Sequence, residues 1–187
     1  MEKKEDRRVK YTKTLIKNAL VELMQERHIS KISIKLLCER ADVHRSTFYA
    51  HYADQYAVLK EIVDEVLTSV ARYLREQDYD KEHPVSEQNL VKIIQYAKDN
   101  TNIFRALFSG NSDSAISSEL MSFINDVSFP IETMEDPKMK EYTSLFAING
   151  VVSVLRKWLQ EGAQESVEYI AAFLMQILYK GLIGISE

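Results

Sequence analysis

The stretch from Ser33 to Tyr52, SIKLLCERADVHRSTFYAHY, admits few folds. The Ser33 hydroxyl stands before a helical pattern, where it can accept from an unpaired backbone N–H of the first turn. Ile34, Leu37, Cys38 and Ala41 follow on one face at helical spacing. Asp42 and Val43 break the pattern, with Val43 as an apolar plug. A second short helix is predicted from His44 to His51, with Phe48 and Tyr52 turned inward. Two short helices joined by a tight turn make a helix-turn-helix. The outer face then carries His44, Arg45, Ser46, Thr47, Tyr49 and His51. A face that meets only water more usually carries Glu and Lys. A face that meets a duplex needs donors for phosphate oxygens and a planar fork for guanine. A helix-turn-helix reads base edges with the N-terminal residues of its second helix, and Arg45, Ser46 and Thr47 stand there.

The rest of the chain reads as helical. Among 187 residues only 5 are Gly and 3 are Pro, so breakers are scarce. One Cys excludes an internal disulfide and argues against a Cys-based zinc site. The N-terminus, MEKKEDRRVK, lacks the apolar run of a signal peptide, and no apolar run reaches membrane-spanning length. A cytoplasmic protein, with no membrane partner, is the expectation. The net charge of −4 is unevenly spread. Residues 1–60 hold 13 Lys+Arg against 8 Asp+Glu, a net +5, and the remainder holds 11 against 20, a net −9. The basic part coincides with the helix-turn-helix, and phosphate would repel the acidic part, which orients such a molecule on DNA.

In chain order, residues 1–8 are expected to be a mobile, mixed-charge tail. A first helix from Val9 to about Glu26 buries Leu15, Ala19, Leu20, Leu23 and Met24. Ile29 and Ile32 pin the following loop, and His28 is read as a helix-end residue. Cys38 reads as a small core residue. Asp54 caps a fourth helix from about Gln55 to Leu74, with Val58, Leu59, Ile62, Val66, Leu67 and Val70 on its apolar face. EQDYDKEHP, from Glu76 to Pro84, is a polar boundary; its Asp78, Asp80, Glu82 and His83 read as solvated charges rather than metal ligands. Helices are expected over Ser86–Lys98, Asn102–Ser109 (ended by Gly110) and Ser114–Val127. An eighth starts at Asp136-Pro137 and stops at Gly162, with Tyr142, Leu145, Phe146, Asn149, Val152, Leu155 and Leu159 as one stripe. Ser166 caps a ninth. From Tyr169 to Tyr179 only Gln176 is not apolar. A helix apolar all round must be covered on all sides, and eleven residues are too few to cross a bilayer. One face on its own core and the other on a second subunit is the economical answer.

The expected fold is therefore all-α, with about nine helices. A helix-turn-helix domain occupies residues 1–55, a linking helix about 55–74, and a helical effector-binding and dimerisation domain 75–187. The dimer face is expected at Asn149, Val152, Leu155, Tyr169, Phe173, Gln176, Ile177 and Lys180 of the eighth and ninth helices.

The stretch around Thr47, Phe48, Tyr49 and His51 resembles the DNA-binding domain of the TetR/AcrR family of bacterial transcriptional regulators. Tyr52 stands where that family usually has Phe, and Gln55 where it usually has a phosphate-gripping Lys. The run FAINGVVSVLRKWLQEG is similar to the C-terminal region of regulators found near dihydroxyacetone kinase genes, with Gly150, Trp158 and Gly162 matching. The resemblance implies a homodimer on a palindromic operator in double-stranded DNA. Arg45 would read bases, helped by Ser46 and Thr47, and His44 would meet a base or a phosphate. Ser33, Lys35, Tyr49, His51 and Gln55 would hold phosphates, and Thr12 and Lys13 would touch the backbone. The resemblance also implies a repressor released by a small-molecule effector, with Phe104, Leu107, Phe108, Phe123, Tyr142, Phe146 and Trp158 either lining its pocket or forming plain core. The alternative is a co-activator controlled by a protein partner. No nucleophile–base pair, metal spacing or Gly-rich phosphate loop points to an enzyme, and no cofactor or metal is expected.

Overall fold

A computed structural model describes residues 2–75, 86–109 and 136–181. Among these residues there are eight α-helices and one 3₁₀ turn. They are α1 (Glu2–Glu26), the 3₁₀ turn (Ile29–Lys31), α2 (Ile34–Ala41), α3 (Arg45–Tyr49), α4 (Gln55–Arg75), α5 (Glu87–Asp99), α6 (Thr101–Phe108), α7 (Pro137–Gln160) and α8 (Val167–Lys180). The all-α expectation holds. Here α7 and α8 are the eighth and ninth helices expected from the sequence. The helix expected over 114–127, the polar boundary at 76–84 and Gly110 lie outside the described residues.

The described chain divides into two compact units, and the division falls inside α4, between residues 67 and 68. One unit holds residues 2–67 with 105–109; the other holds 68–104 with 136–181.

In the first unit the helix starts are set by short polar side chains. Ser33 Oγ accepts from Leu36 N at 3.2 Å, and Asp54 Oδ1 accepts from Ala57 N at 2.8 Å. Between them, Asp42 ends α2 in the left-handed region at φ 53°, a conformation Asp tolerates better than most residues. His28 caps the 3₁₀ turn, its Nδ1 accepting from Ser30 N at 3.2 Å. The core is built from Ile16, Leu20, Leu23, Met24, Ile29, Ile32, Leu37, Phe48, Leu59 and Ile62, all fully buried. α1 packs on α2, and α2 on α3.

Two expectations for α1 are corrected. The tail expected to be mobile is helical from Glu2. Its Glu, Lys, Asp and Arg residues favour helix, no Gly, Pro or β-branched residue precedes Val9, and Glu2, Glu5 and Asp6 lie at the positive end of the helix dipole. The buried stripe is also centred on Ile16, Leu20 and Leu23 rather than on Leu15, which is half-buried.

In the second unit α5 packs along α8. Leu90, Ile94, Ala97, Ile148, Leu159, Val167, Ile170, Ala171 and Leu174 form the core. Ser86 Oγ caps α5 through Asn89 N at 3.2 Å, Asp136 Oδ1 caps α7 through Lys138 N at 2.9 Å with Pro137 in the first turn, and Ser166 Oγ caps α8 through Tyr169 N at 3.1 Å. α7 ends where Gly162 and Ala163 turn left-handed, at φ 92° and 51°.

The single stripe expected on α7 is split. Ile148, Val152, Leu155, Trp158 and Leu159 are buried, whereas Tyr142, Leu145, Phe146 and Asn149 are exposed. At about 100° per residue the two sets lie on adjacent faces roughly a third of a turn apart. A long helix with apolar residues on two neighbouring faces can turn only one of them into its own unit.

Ala163 takes a backbone conformation that costs an L-residue about 1–2 kcal/mol and glycine almost nothing. Part of that is offset by glycine's greater freedom in the unfolded chain. Ala163→Gly is expected to stabilise the protein by about 0.5 kcal/mol, read as a higher urea midpoint at unchanged slope.

Candidate nucleic-acid interface

The reading face is built on a helix too short to stand alone. α3 has five residues, and a helix of that length has no stability of its own in water. Phe48, fully buried, anchors it. Tyr52, 5% exposed, anchors the corner behind it, with its ring centroid 5.9 Å from that of Phe48. Tyr49 meets the edge of Phe48 at 5.5 Å but stays 55% exposed.

Anchoring through Phe48 turns the other side chains outward. His44, Arg45 and Ser46 are exposed, and Thr47 and His51 are half-buried. His44 occupies the N-cap position of α3 but makes no capping hydrogen bond with its side chain. Lys35 is exposed on the first turn of α2 and lies 3.8 Å from Glu39, one turn on. Ser33 is exposed and engaged as a cap, and Gln55 is half-buried at the start of α4. The structure thus brings Ser33, Lys35, His44, Arg45, Ser46, Thr47, Tyr49, His51 and Gln55 onto the α2 start, α3 and the α4 start of one unit.

An open depression of about 410 Å³ lies between α2 and α3, lined by Lys35, Cys38, Glu39, Asp42, Val43, His44 and Arg45. Cys38 is buried at its base. Burial pushes its thiol up, the Arg45 charge works against that, and Glu39 adds to it. A buried thiol held protonated is a packing residue at neutral pH.

Behind the reading face lies a charge cluster. Lys13 Nζ donates to Glu61 Oε2 at 2.8 Å, and Lys17 Nζ lies 3.5 Å from Glu61 Oε1 and also pairs with Glu65. Lys13 also sits over the Tyr52 ring, 5.2 Å from its centroid. Burial alone would raise the Glu61 carboxyl, but the hydrogen bond and charge of Lys13, with the charge of Lys17, outweigh it and hold the group below its ordinary value. The Tyr52 phenol is pushed well up, first by burial and then by the negative charge of Glu61. Its hydroxyl is buried and meets no partner in hydrogen-bonding geometry.

A family model for a transcriptional regulator C-terminal region of the TetR type matches residues 85–180, just over half of the chain. The chain belongs to the TetR family of transcriptional regulators. Over 59 residues it is 27% identical to the HTH-type transcriptional regulator YxbF of Bacillus subtilis (strain 168). That match takes in 32% of this chain, which spans 16% of the length of that curated relative. A solved TetR transcriptional regulator from Streptococcus agalactiae 2603V superposes with a TM-score of 0.68 at 24% identity, covering 95% of this chain and 99% of that one. The dihydroxyacetone kinase operon activator DhaS gives 0.58 at 16% identity, covering 92% and 96%. Both show a shared fold.

For this TetR-family chain the body residues are less tightly grouped than expected. Of the seven expected around an effector, Phe104 and Trp158 are buried in the second unit, while Tyr142 and Phe146 of that unit are 60% and 69% exposed. Those two do not line an enclosed chamber within the protomer, because they lie on the outward face of α7. Leu107 and Phe108 belong to the first unit, and Phe123 lies outside the described residues. Of the expected dimer face, Asn149, Tyr169 and Lys180 are exposed, and Phe173, Gln176 and Ile177 are half-buried. Val152 and Leu155 are removed from that face: each is 8% exposed and packs inward. Among the described residues no helix is long and apolar enough to cross a membrane.

The sequence reading missed the Lys13–Glu61 pair and assigned Lys13 to DNA. The partners are 48 residues apart, and only the approach of α1 to α4 joins them. A lowered carboxyl stabilises the fold above its ordinary value of 4.5, and this is lost as pH falls through the lower folded-state value. Glu61→Gln is therefore expected to be less stable than the wild type at pH 7, with the difference closing by about pH 3 in urea titrations.

Proposed function

We propose that the protein is a dimeric repressor that binds a palindromic operator and is released from it by a small-molecule effector. The observation that carries the DNA-binding half is the face of α3, whose two aromatic anchors are buried while His44, Arg45, Ser46 and Tyr49 stay exposed. In this reading α3 enters the major groove. Arg45 reads a guanine edge, Ser46 and Thr47 assist, and His44 meets a base or a phosphate. Lys35, Tyr49, His51, Gln55 and Ser33 hold the backbone and set register. Residues 1–55 act as the DNA-binding domain, α4 links, and residues 75–187 form the effector-binding and dimerisation domain. Effector binding in the body must favour one state of α4, which takes roughly 1–3 kcal/mol of coupling. The protein works in the cytoplasm, on the nucleoid when bound.

The dimer reading draws support from α8, where Tyr169 is 62% exposed beside half-buried Phe173, Gln176 and Ile177. Asn149 and Lys180 extend that surface. A second reading, a co-activator controlled by a protein partner, is favoured by the outward face of α7. Met139, Tyr142, Leu145 and Phe146 stand exposed there at helical spacing, more apolar surface than a solvated helix face usually shows.

Selection of sites from random duplex DNA by the purified protein, at stated salt, is expected to enrich a palindrome with half-sites one helical turn apart. Arg45→Ala should then lose about 1–3 kcal/mol per half-site with no change in thermal midpoint. An Arg45→Ala protein that binds the selected operator as the wild type does would remove Arg45 from base readout. Tyr169→Glu is expected to shift sedimentation from dimer to monomer. Phe146→Ser should leave the dimer intact if the α7 face serves a partner, and should weaken it if that face is part of the dimer contact.

A further inference from the structure

Three side chains from separate parts of the first unit share one carboxylate. Glu61 of α4 accepts from Lys13 of α1 at 2.8 Å, and Lys13 lies over the ring of Tyr52, the residue that closes the corner behind α3. Tyr52 in turn packs against Phe48, the anchor of α3. The cluster is unbalanced. Glu61 has a partner in Lys13, whereas the buried Tyr52 hydroxyl has none. An unpaired buried hydroxyl is a standing penalty that phenylalanine would avoid. The acceptor able to relieve it is the neighbouring Glu61, already engaged by a lysine whose side chain is 31% exposed. Anything that draws Lys13 away would let the hydroxyl take its place, so the carboxylate would stay hydrogen-bonded throughout.

We propose that Tyr52, Glu61 and Lys13 form an exchange joint for operator binding. In the free protein Glu61 holds Lys13. On DNA a backbone phosphate takes Lys13, and the Tyr52 hydroxyl donates to Glu61. The exchange ties the seating of α3 to α4 through a single carboxylate. It also adds one phosphate contact in each half-site, from a residue that the free structure holds elsewhere. Glu61 and Tyr52 are positioning residues here, since neither touches DNA. The inference rests on the reading of α3 as the DNA-contacting helix.

The test is the salt dependence of operator affinity. Each phosphate contact contributes about −0.9 to the slope of log K against log salt. Tyr52→Phe removes the incoming donor, so Lys13 stays on Glu61 and the contact is not made. The slope should become shallower by roughly 0.9 per half-site, about 1.8 for a dimer. The thermal midpoint should hold or rise, because an unpaired hydroxyl has been removed. Lys13→Met should give the same shallower slope, and the double variant should lose no more than either single one. A merely structural role for Tyr52 would move affinity and midpoint together and leave the slope alone. An unchanged slope in Tyr52→Phe or in Lys13→Met overturns the joint, whatever the affinity does. If the wild type binds no duplex, the DNA-reading proposal falls and the joint with it. If the wild type binds and the variants keep its slope, the joint alone falls.

Discussion

Burial of Phe48 is the contact on which the reading face depends. A five-residue helix closes too few backbone hydrogen bonds to offset the entropy of ordering it, so α3 exists because a ring on its inner side is removed from water. The core that receives Phe48 is supplied by α1, the 3₁₀ turn, α2 and α4. The caps at Ser33 and Asp54 and the left-handed Asp42 then fix where the chain turns on either side of α3. Core, caps and corner together leave one arc of α3 for polar side chains, and that arc carries the guanidinium of Arg45.

Much of this was legible because it is local. Ser33, Asp54, Ser86, Asp136 and Ser166 are read as helix starts from residue type and spacing, and each accepts the expected backbone N–H. Phe48 and Tyr52 are read as inward from four-residue spacing, and both are buried. What was not legible depends on which neighbour arrives. Leu15 and Ile16 are adjacent and equally apolar, so pattern alone does not say which faces the core. Tyr142, Phe146 and Val152 fit one loose stripe, and only the packing of α7 in its own unit divides them. Lys13 and Glu61 belong to different helices, and no spacing rule connects them. The charged start of α1 was read as tail because it lacks apolar periodicity, although charged residues at good helix-forming positions extend a helix without one.

The two units carry opposite charge and different kinds of exposed surface. The basic, DNA-facing part shows exposed nitrogen donors and a phenol, whereas α7 and α8 show rings and thioether. Phosphate favours the first and repels the acidic remainder, while apolar surface of the second kind is covered by another protein surface. A regulator needs both contacts, and here they are kept on separate units with α4 running through the division.

The side chains of His44, Arg45 and Ser46 make no hydrogen bond that holds the fold, and the helix beneath them is fixed from the other side by Phe48. Vocabulary and grammar are thus separated. The letters this protein reads can be rewritten by exchanging residues that the core never meets, so divergence toward a new operator carries no folding penalty. A lineage of such proteins can acquire new targets as fast as its exposed residues drift, while the scaffold stays still.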